Sequence, residues 1–316
     1  MIIRIYDAGQ RNRVRSGYGL MARQLSAHLG ALGHEVRFFP DTIPGEDVVL
    51  WIRPPHYVKD QHFDPKKKNV FFTMHEKETF EGWKKDWPEL LNRCTAIITP
   101  TQWNKDVFIN HGVTVPIHVL PLGIDIKMFH GYKTYEFSIM TLHDNLGSPD
   151  SRENWKDTIA AYYQAFHHYH HQEVTLSIKS YNIKQTEYQQ TLLELQRPYD
   201  TTLLPPINII NLDLESQDLN LLYAKHWVFI KNANREGWSL PAWEALAAGC
   251  RLIYTDLPVF SNLLETRARR FSLGNVGELA DILRDEFKHW RREKAFLSQY
   301  SWKSRAQEVE RVLLSV

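Results

Sequence analysis

Two acidic residues stand out for what their spacing could do. Glu236 and Glu244, with seven residues between them, lie in Asn234-Arg-Glu-Gly-Trp-Ser-Leu-Pro-Ala-Trp-Glu-Ala-Leu-Ala-Ala-Gly-Cys-Arg-Leu-Ile-Tyr254. The apolar run Val228–Ile230 reads as a strand, and a helix is expected from about Leu240, with Pro241 in its first turn where a missing N–H does no harm. The loop and helix start offer unpaired backbone N–H groups and the positive end of a dipole, a ready cradle for phosphate. Glu236 sits in the loop and Glu244 one turn inside the helix. One carboxylate can then reach a sugar at the loop while the other accepts hydroxyl hydrogen bonds further along the same ligand. Gly249 is placed to end the helix.

Other chemistry-bearing residues fall at expected strand ends. Ser16-Gly-Tyr-Gly19 opens the first helix, and Gly17 lets backbone N–H groups come close to a phosphate or an acceptor. Arg11, Arg13 and Arg15 directly precede that loop and point to an anionic acceptor, a solvated charged loop being the plainer reading. Thr73-Met-His-Glu76 follows the strand at 70–72, making His75 and Glu76 candidates for orienting an acceptor. His167, His168, His170 and His171 have metal-compatible helical spacing, but their place near an outer helix end favours interaction with its dipole.

The elements that must position these residues alternate regularly. Strands are expected at 2–6, 35–39, 48–52, 70–72, 96–99 and 118–120, with helices at 20–32 and 103–111. The pattern restarts with strands at 137–142, 175–178, 207–210, 227–230, 252–254 and near Phe271, separated by helices at 153–168, 184–195, 216–224, 241–248 and 276–290. Strand–helix alternation predicts parallel sheets covered on both faces. The expected organisation is an α/β chain of two doubly wound, Rossmann-like domains facing a cleft, 1–131 and 132–298, with a last helix in 299–316 returning to the first. Ligands of such sheets collect at the carboxyl ends of the strands.

Composition narrows the function class. The chain has 316 residues, 43% hydrophobic and 24% charged, as in ordinary globular proteins, and 38 basic against 37 acidic residues give a net charge of +1. That balance argues against bulk electrostatic capture of nucleic acid. Two cysteines, Cys94 and Cys250, cannot make a disulfide framework and suit a reducing, cytoplasmic setting. No stretch reaches membrane-span length, and Arg4 and Asp7 interrupt what a signal peptide would need to keep apolar. Peripheral contact with a membrane stays open.

The 234–254 segment closely resembles the E-x7-E signature of retaining GT-B glycosyltransferases of the family 4 type. Further pieces match in the same order: Ser16-Gly-Tyr-Gly19 with the helix that follows, Ala96-Ile-Ile-Thr-Pro-Thr-Gln-Trp103, Val119-Leu-Pro-Leu-Gly-Ile-Asp125 with Phe129, and Tyr300-Ser-Trp302. The resemblance implies that Glu236 contacts the transferred sugar and stabilises positive charge at its anomeric carbon, with Glu244 on the donor ribose. Gly237, Trp238, Ser239 and Leu240 would meet sugar and phosphates through their backbone. Gly17 is placed with the donor, and Tyr18, Arg11, Arg13, Arg15 and Glu76 with the acceptor.

A departing nucleoside diphosphate needs positive charge beside it. The family often supplies a basic pair in an Arg-Lys-Asn-like sequence; here Arg152 fits, but Glu153 replaces the usual lysine. Lys179, at a strand end, is the candidate second charge, and His75 joins Glu236, Arg152 and Lys179 in the expected catalytic set. The absence of an Asp-x-Asp triplet supports a reaction needing no metal and no cofactor beyond the nucleotide-sugar substrate. The acceptor stays open among a glycan, a lipid-linked sugar, a small molecule and a modified DNA base. A non-catalytic nucleotide-sugar binder is the other alternative.

Overall fold

The computed structural model describes residues 1–7, 17–39, 45–58, 63–81, 86–125, 128–129, 137–149, 151–169, 174–260 and 267–298, with side chains as far as 291. The chain divides into two compact units. The first holds Met1–Ile124 together with Arg235–Leu240 and the 3-10 turn Pro258–Phe260; the second holds Asp125–Asn234, Pro241–Asp256 and the described residues from 267 onward.

The first unit alternates β1 (Ile2–Asp7), α1 (Gly17–Ala31), β2 (Glu35–Phe38), β3 (Val48–Ile52), β4 (Lys68–Phe72), α2 (Trp87–Asn92), β5 (Ala96–Thr99), α3 (Gln102–Asn110) and β6 (Ile117–Val119). Its sheet runs in the order β2-β1-β3-β4-β5-β6 with parallel pairing throughout. β3, Val-Val-Leu-Trp-Ile, is apolar because both its faces are covered. Trp51 is fully buried there, and its indole N–H donates to Asn69 Oδ1 at 2.9 Å, so the large ring costs no unsatisfied donor.

The second unit continues with β7 (Phe137–Leu146), α4 (Trp155–Phe166), β8 (Val174–Ile183), α5 (Gln185–Gln196), β9 (Ile207–Ile210), α6 (Ser216–Ala224), β10 (Val228–Lys231), α7 (Leu240–Ala247), β11 (Arg251–Thr255), β12 (Ala268–Phe271) and α8 (Val276–Ser298). The sheet order is β12-β11-β10-β7-β8-β9, again parallel. One core is an aromatic knot. Phe137 meets Phe166, Phe287 and Trp290 with ring centroids 6.0, 5.0 and 5.7 Å apart, tying α4 and α8 to the strand. Each such ring taken from water adds about 1.5–3 kcal/mol. In both sheets the first strand lies inside, so the chain order reverses beside β1 and beside β7, where doubly wound sheets open their ligand crevices.

Departures from the sequence expectations are local. The helix expected from Glu153 begins at Trp155, because residue 153 instead forms an antiparallel bridge with Ala233. α8 runs to Ser298, beyond the expected 290. α2 was not expected: six residues with a proline near the start show no periodicity. Arg11, Arg13, Arg15, His170, His171 and the segment 299–316 with its expected final helix lie outside the described residues. Among the described residues no helix is long and apolar enough to cross a membrane.

Candidate functional site

The loop bearing Glu236 follows a short antiparallel pairing. Before it, residues 232–234 run antiparallel to 152–154: Asn154 N donates to Asn232 O and Asn234 N to Arg152 O, both at 2.9 Å. The start of α4 and the exit from β10 are thereby stapled together. After residue 234 the chain joins the first unit. There Asn104, fully buried at the start of α3, donates through Nδ2 to Gly237 O at 3.1 Å and to Thr101 Oγ1 at 2.9 Å, while its Oδ1 accepts from His75 N at 2.6 Å. Gly237 packs closely on Met74: a Cβ there would lie 2.8 Å from Met74 Cγ and 2.9 Å from its sulfur, and would force that side chain to shift. Glu236 is 6% exposed, and its Oε1 accepts from Gly237 N at 3.0 Å.

Several expected site residues meet in this first unit. Tyr18 Oη accepts from Met74 N and bonds Thr73 Oγ1, each at 3.2 Å, and burial pushes its hydroxyl up to about 12. Glu76 lies 3.8 Å from Arg235 Nε. A Cβ on Gly17 would make ordinary 3.7 Å contact with Leu240, so backbone and loop approach closely there. His75 is buried; its Nε2 pairs with Thr79 O at 2.9 Å, and Phe80 and Trp87 pack against its ring. Trp87 belongs to the core, Trp103 is partly buried against it, and Trp83 lies outside the described residues.

In the second unit α7 carries Glu244. The residue is 5% exposed, and Tyr223 Oη on α6 donates to its Oε2 at 3.2 Å. Burial raises Glu244 to about 7, more than this hydrogen bond lowers it. Gly249, at φ +94°, ends the helix in the left-handed region, with Cys250 N bonding back to Ala245 O at 2.9 Å.

A charge cluster occupies the reversal beside β7. Glu153 Oε1 accepts from Arg152 Nε at 2.8 Å and from Lys231 Nζ, at the end of β10, at 3.2 Å. Arg152 also reaches Asp144 Oδ2 at 3.1 Å. Burial opposes ionisation of Glu153, but Lys231 and Arg152 together hold it down at about 2. His143, fully buried nearby, is depressed to about 4, mainly by burial, and its Nε2 pairs with Thr141 Oγ1 at 3.1 Å. Lys179 is 1% exposed; its Nζ donates to Ser180 O at 3.3 Å and lies 3.9 Å from the centre of the Tyr181 ring. His167 Nδ1 pairs with Tyr163 O at 3.0 Å. The described residues contain no group of three or more His, Cys, Asp or Glu able to hold a metal, and both cysteines are free and buried.

Sequence reasoning passed over Lys231, Asn104 and Tyr223. Lys231 is legible in part, as a lysine ending an otherwise apolar strand. Nothing local marks Asn104 or Tyr223, whose partners are remote in the chain.

No family model matches the chain, and no curated protein matches it in sequence. Solved structures do match. The chain is similar to sucrose-phosphate synthase from Thermosynechococcus elongatus, with a TM-score of 0.66 at 12% identity over 100% of this chain and 99% of that one. HepE from Anabaena, solved in complex with UDP-glucose, aligns with a TM-score of 0.65 at 14% identity over 100% of both chains. An alpha,alpha-trehalose 6-phosphate synthase from Burkholderia multivorans aligns with a TM-score of 0.56 at 14% identity, over 93% of this chain and 78% of that one. At such identities the likeness is one of fold. The chain has the GT-B fold, with two α/β units each built on a six-stranded parallel sheet.

Proposed function

We propose that the chain is a retaining, metal-independent glycosyltransferase of the family 4 type, moving a sugar from a nucleoside diphosphate sugar to an acceptor hydroxyl. The reading is carried by the E-x7-E motif, which falls at a strand–loop–helix crossover of a GT-B fold with both glutamates almost fully buried. Glu236, fixed by the N–H of Gly237, stabilises oxocarbenium character at the anomeric carbon. Glu244 exchanges its Tyr223 partner for ribose hydroxyls. Arg152 and Lys179 take the charge of the departing diphosphate, with Lys231 joined to Arg152 through Glu153, and the diphosphate accepts the proton of the incoming hydroxyl. Positive charge from these side chains does the work a metal would otherwise do. UDP-glucose, the ligand seen in HepE, is the natural first donor to assay. Arg11, Arg13 and Arg15 suit an anionic acceptor; a modified nucleic-acid base is the alternative, which the near-neutral net charge disfavours.

The pairing of Glu153 with both Arg152 and Lys231 supports a second reading, a nucleotide-sugar binder without transfer, because it offsets the charge a leaving diphosphate needs. NMR of the anomeric proton during turnover separates the two. Transfer with retained configuration, lost in Glu236→Ala, is expected; an inverted product contradicts the mechanism, and donor binding without hydrolysis or transfer establishes the binder.

A further inference from the structure

Ser239 has a conformation its own helix does not explain. Among the described residues it is the non-glycine with positive φ, at +69°. A left-handed backbone costs an L-residue strain that only glycine escapes, and such residues persist where the surroundings over-determine them, often at ligand sites. Ser239 is 4% exposed, and its Oγ has no hydrogen-bond partner among the described residues. A buried hydroxyl without a partner is a second cost at the same position.

Capping is the obvious role for a serine directly before a helix, and the chain shows what a cap looks like. Thr101 precedes α3 with φ −133° and ψ 155°, and its hydroxyl accepts from Asn104 N. That is the extended conformation and bonding pattern of an ordinary N-cap. Ser239 precedes α7 with φ of opposite sign and gives its oxygen to no backbone N–H. The residue therefore bears both costs without the usual structural return, beside a helix start whose free N–H groups favour anions.

Resting on the functional reading above, we propose that the Ser239 hydroxyl itself is a donor-binding group. Its O–H donates to a phosphate oxygen of the nucleoside diphosphate, adding a side-chain contact to the backbone N–H groups of the 237–240 loop. The left-handed backbone keeps the hydroxyl out of the capping pattern seen at Thr101 and so leaves its O–H for a ligand oxygen.

Two variants test this on the full-length protein. Ser239→Gly removes the hydroxyl and relieves the backbone; Ser239→Ala removes the hydroxyl and keeps the strain. Melting temperature without ligand and affinity for UDP, GDP and ADP by calorimetry are measured for both and for the wild type. The expected result is a melting temperature at or above that of the wild type in both variants, with affinity for the preferred diphosphate falling about tenfold or more, roughly 1.4 kcal/mol. Affinity unchanged in both variants, with wild type binding normally, overturns the assignment alone. Melting temperatures that fall in both variants with affinity intact show a structural serine and overturn it too. Wild type that binds none of the three diphosphates overturns the functional reading and the assignment with it.

Discussion

The Tyr223 hydroxyl donates to the Glu244 carboxyl at 3.2 Å, inside the second unit, linking α6 to α7 across the intervening strand β10. Burial dominates the environment of Glu244 and holds it at about 7, so without ligand the carboxyl is largely protonated below neutrality. Its folded pKa lies above the ordinary carboxyl value of about 4.5, so the folded state binds more protons between the two, and stability falls as pH rises from about 4.5 to 7. The swing is at most on the order of 3 kcal/mol. Chemical denaturation of wild type and Glu244→Gln across that window should show the wild type losing stability while the variant stays flatter. Parallel curves would contradict the assignment. Ribose hydroxyls donate best to the ionised carboxylate, so nucleotide affinity should rise with pH up to about 7 and then level.

Glu153 behaves in the opposite sense. Its pKa of about 2 lies below the ordinary carboxyl value of about 4.5, so its contribution is complete above about 4.5 and disappears as pH falls toward 2. Glu153→Gln removes the carboxylate that pairs with Lys231, itself only 3% exposed, and should cost about 3–5 kcal/mol in urea denaturation. Glu153→Gln combined with Lys231→Met should recover much of that loss. No recovery in the double variant would show that the pair is not what fixes the cluster.

Asn104 holds the Gly237 carbonyl and the His75 N–H in one side chain. Asn104→Asp keeps the second contact and replaces the first with repulsion between two oxygens. Transfer should fall at least tenfold while the fold survives, as followed by circular dichroism and an initial-rate assay. Thr101→Ala, which removes the α3 cap and one acceptor of Asn104 Nδ2 but leaves the Gly237 and His75 contacts in place, should cost about 1 kcal/mol of stability and far less activity. Equal effects of the two changes would mean that Asn104 serves the helix rather than the loop.

The triple change of Arg11, Arg13 and Arg15 to alanine addresses the acceptor. It should raise acceptor KM well above its effect on donor KM. A uniform rise in both would assign these arginines to general electrostatics.

Much of this architecture was legible because its signals are local. The apolar run of β3, the Gly249 stop after α7 and the strand–helix alternation each depend on neighbouring residues and on a parallel sheet covered on both faces. What escaped depends on partners far along the chain. Glu153 reads as the first turn of a helix until Ala233 pairs with its backbone and Lys231 with its carboxylate. Asn104 resembles any polar residue of a helix start, and only the folded chain brings it to Gly237, 133 positions away. Ser239 looked like a backbone contributor, since its left-handed φ cannot be read from residue type.

The most direct test of the central reading is a thermal-shift panel of UDP-, GDP-, ADP- and TDP-sugars on wild type and Glu244→Ala. At least one donor should raise the wild-type melting temperature by several degrees, and that shift should vanish in the variant. A panel without any shift, or a shift that Glu244→Ala leaves intact, would contradict the assignment of this motif to a nucleotide-sugar.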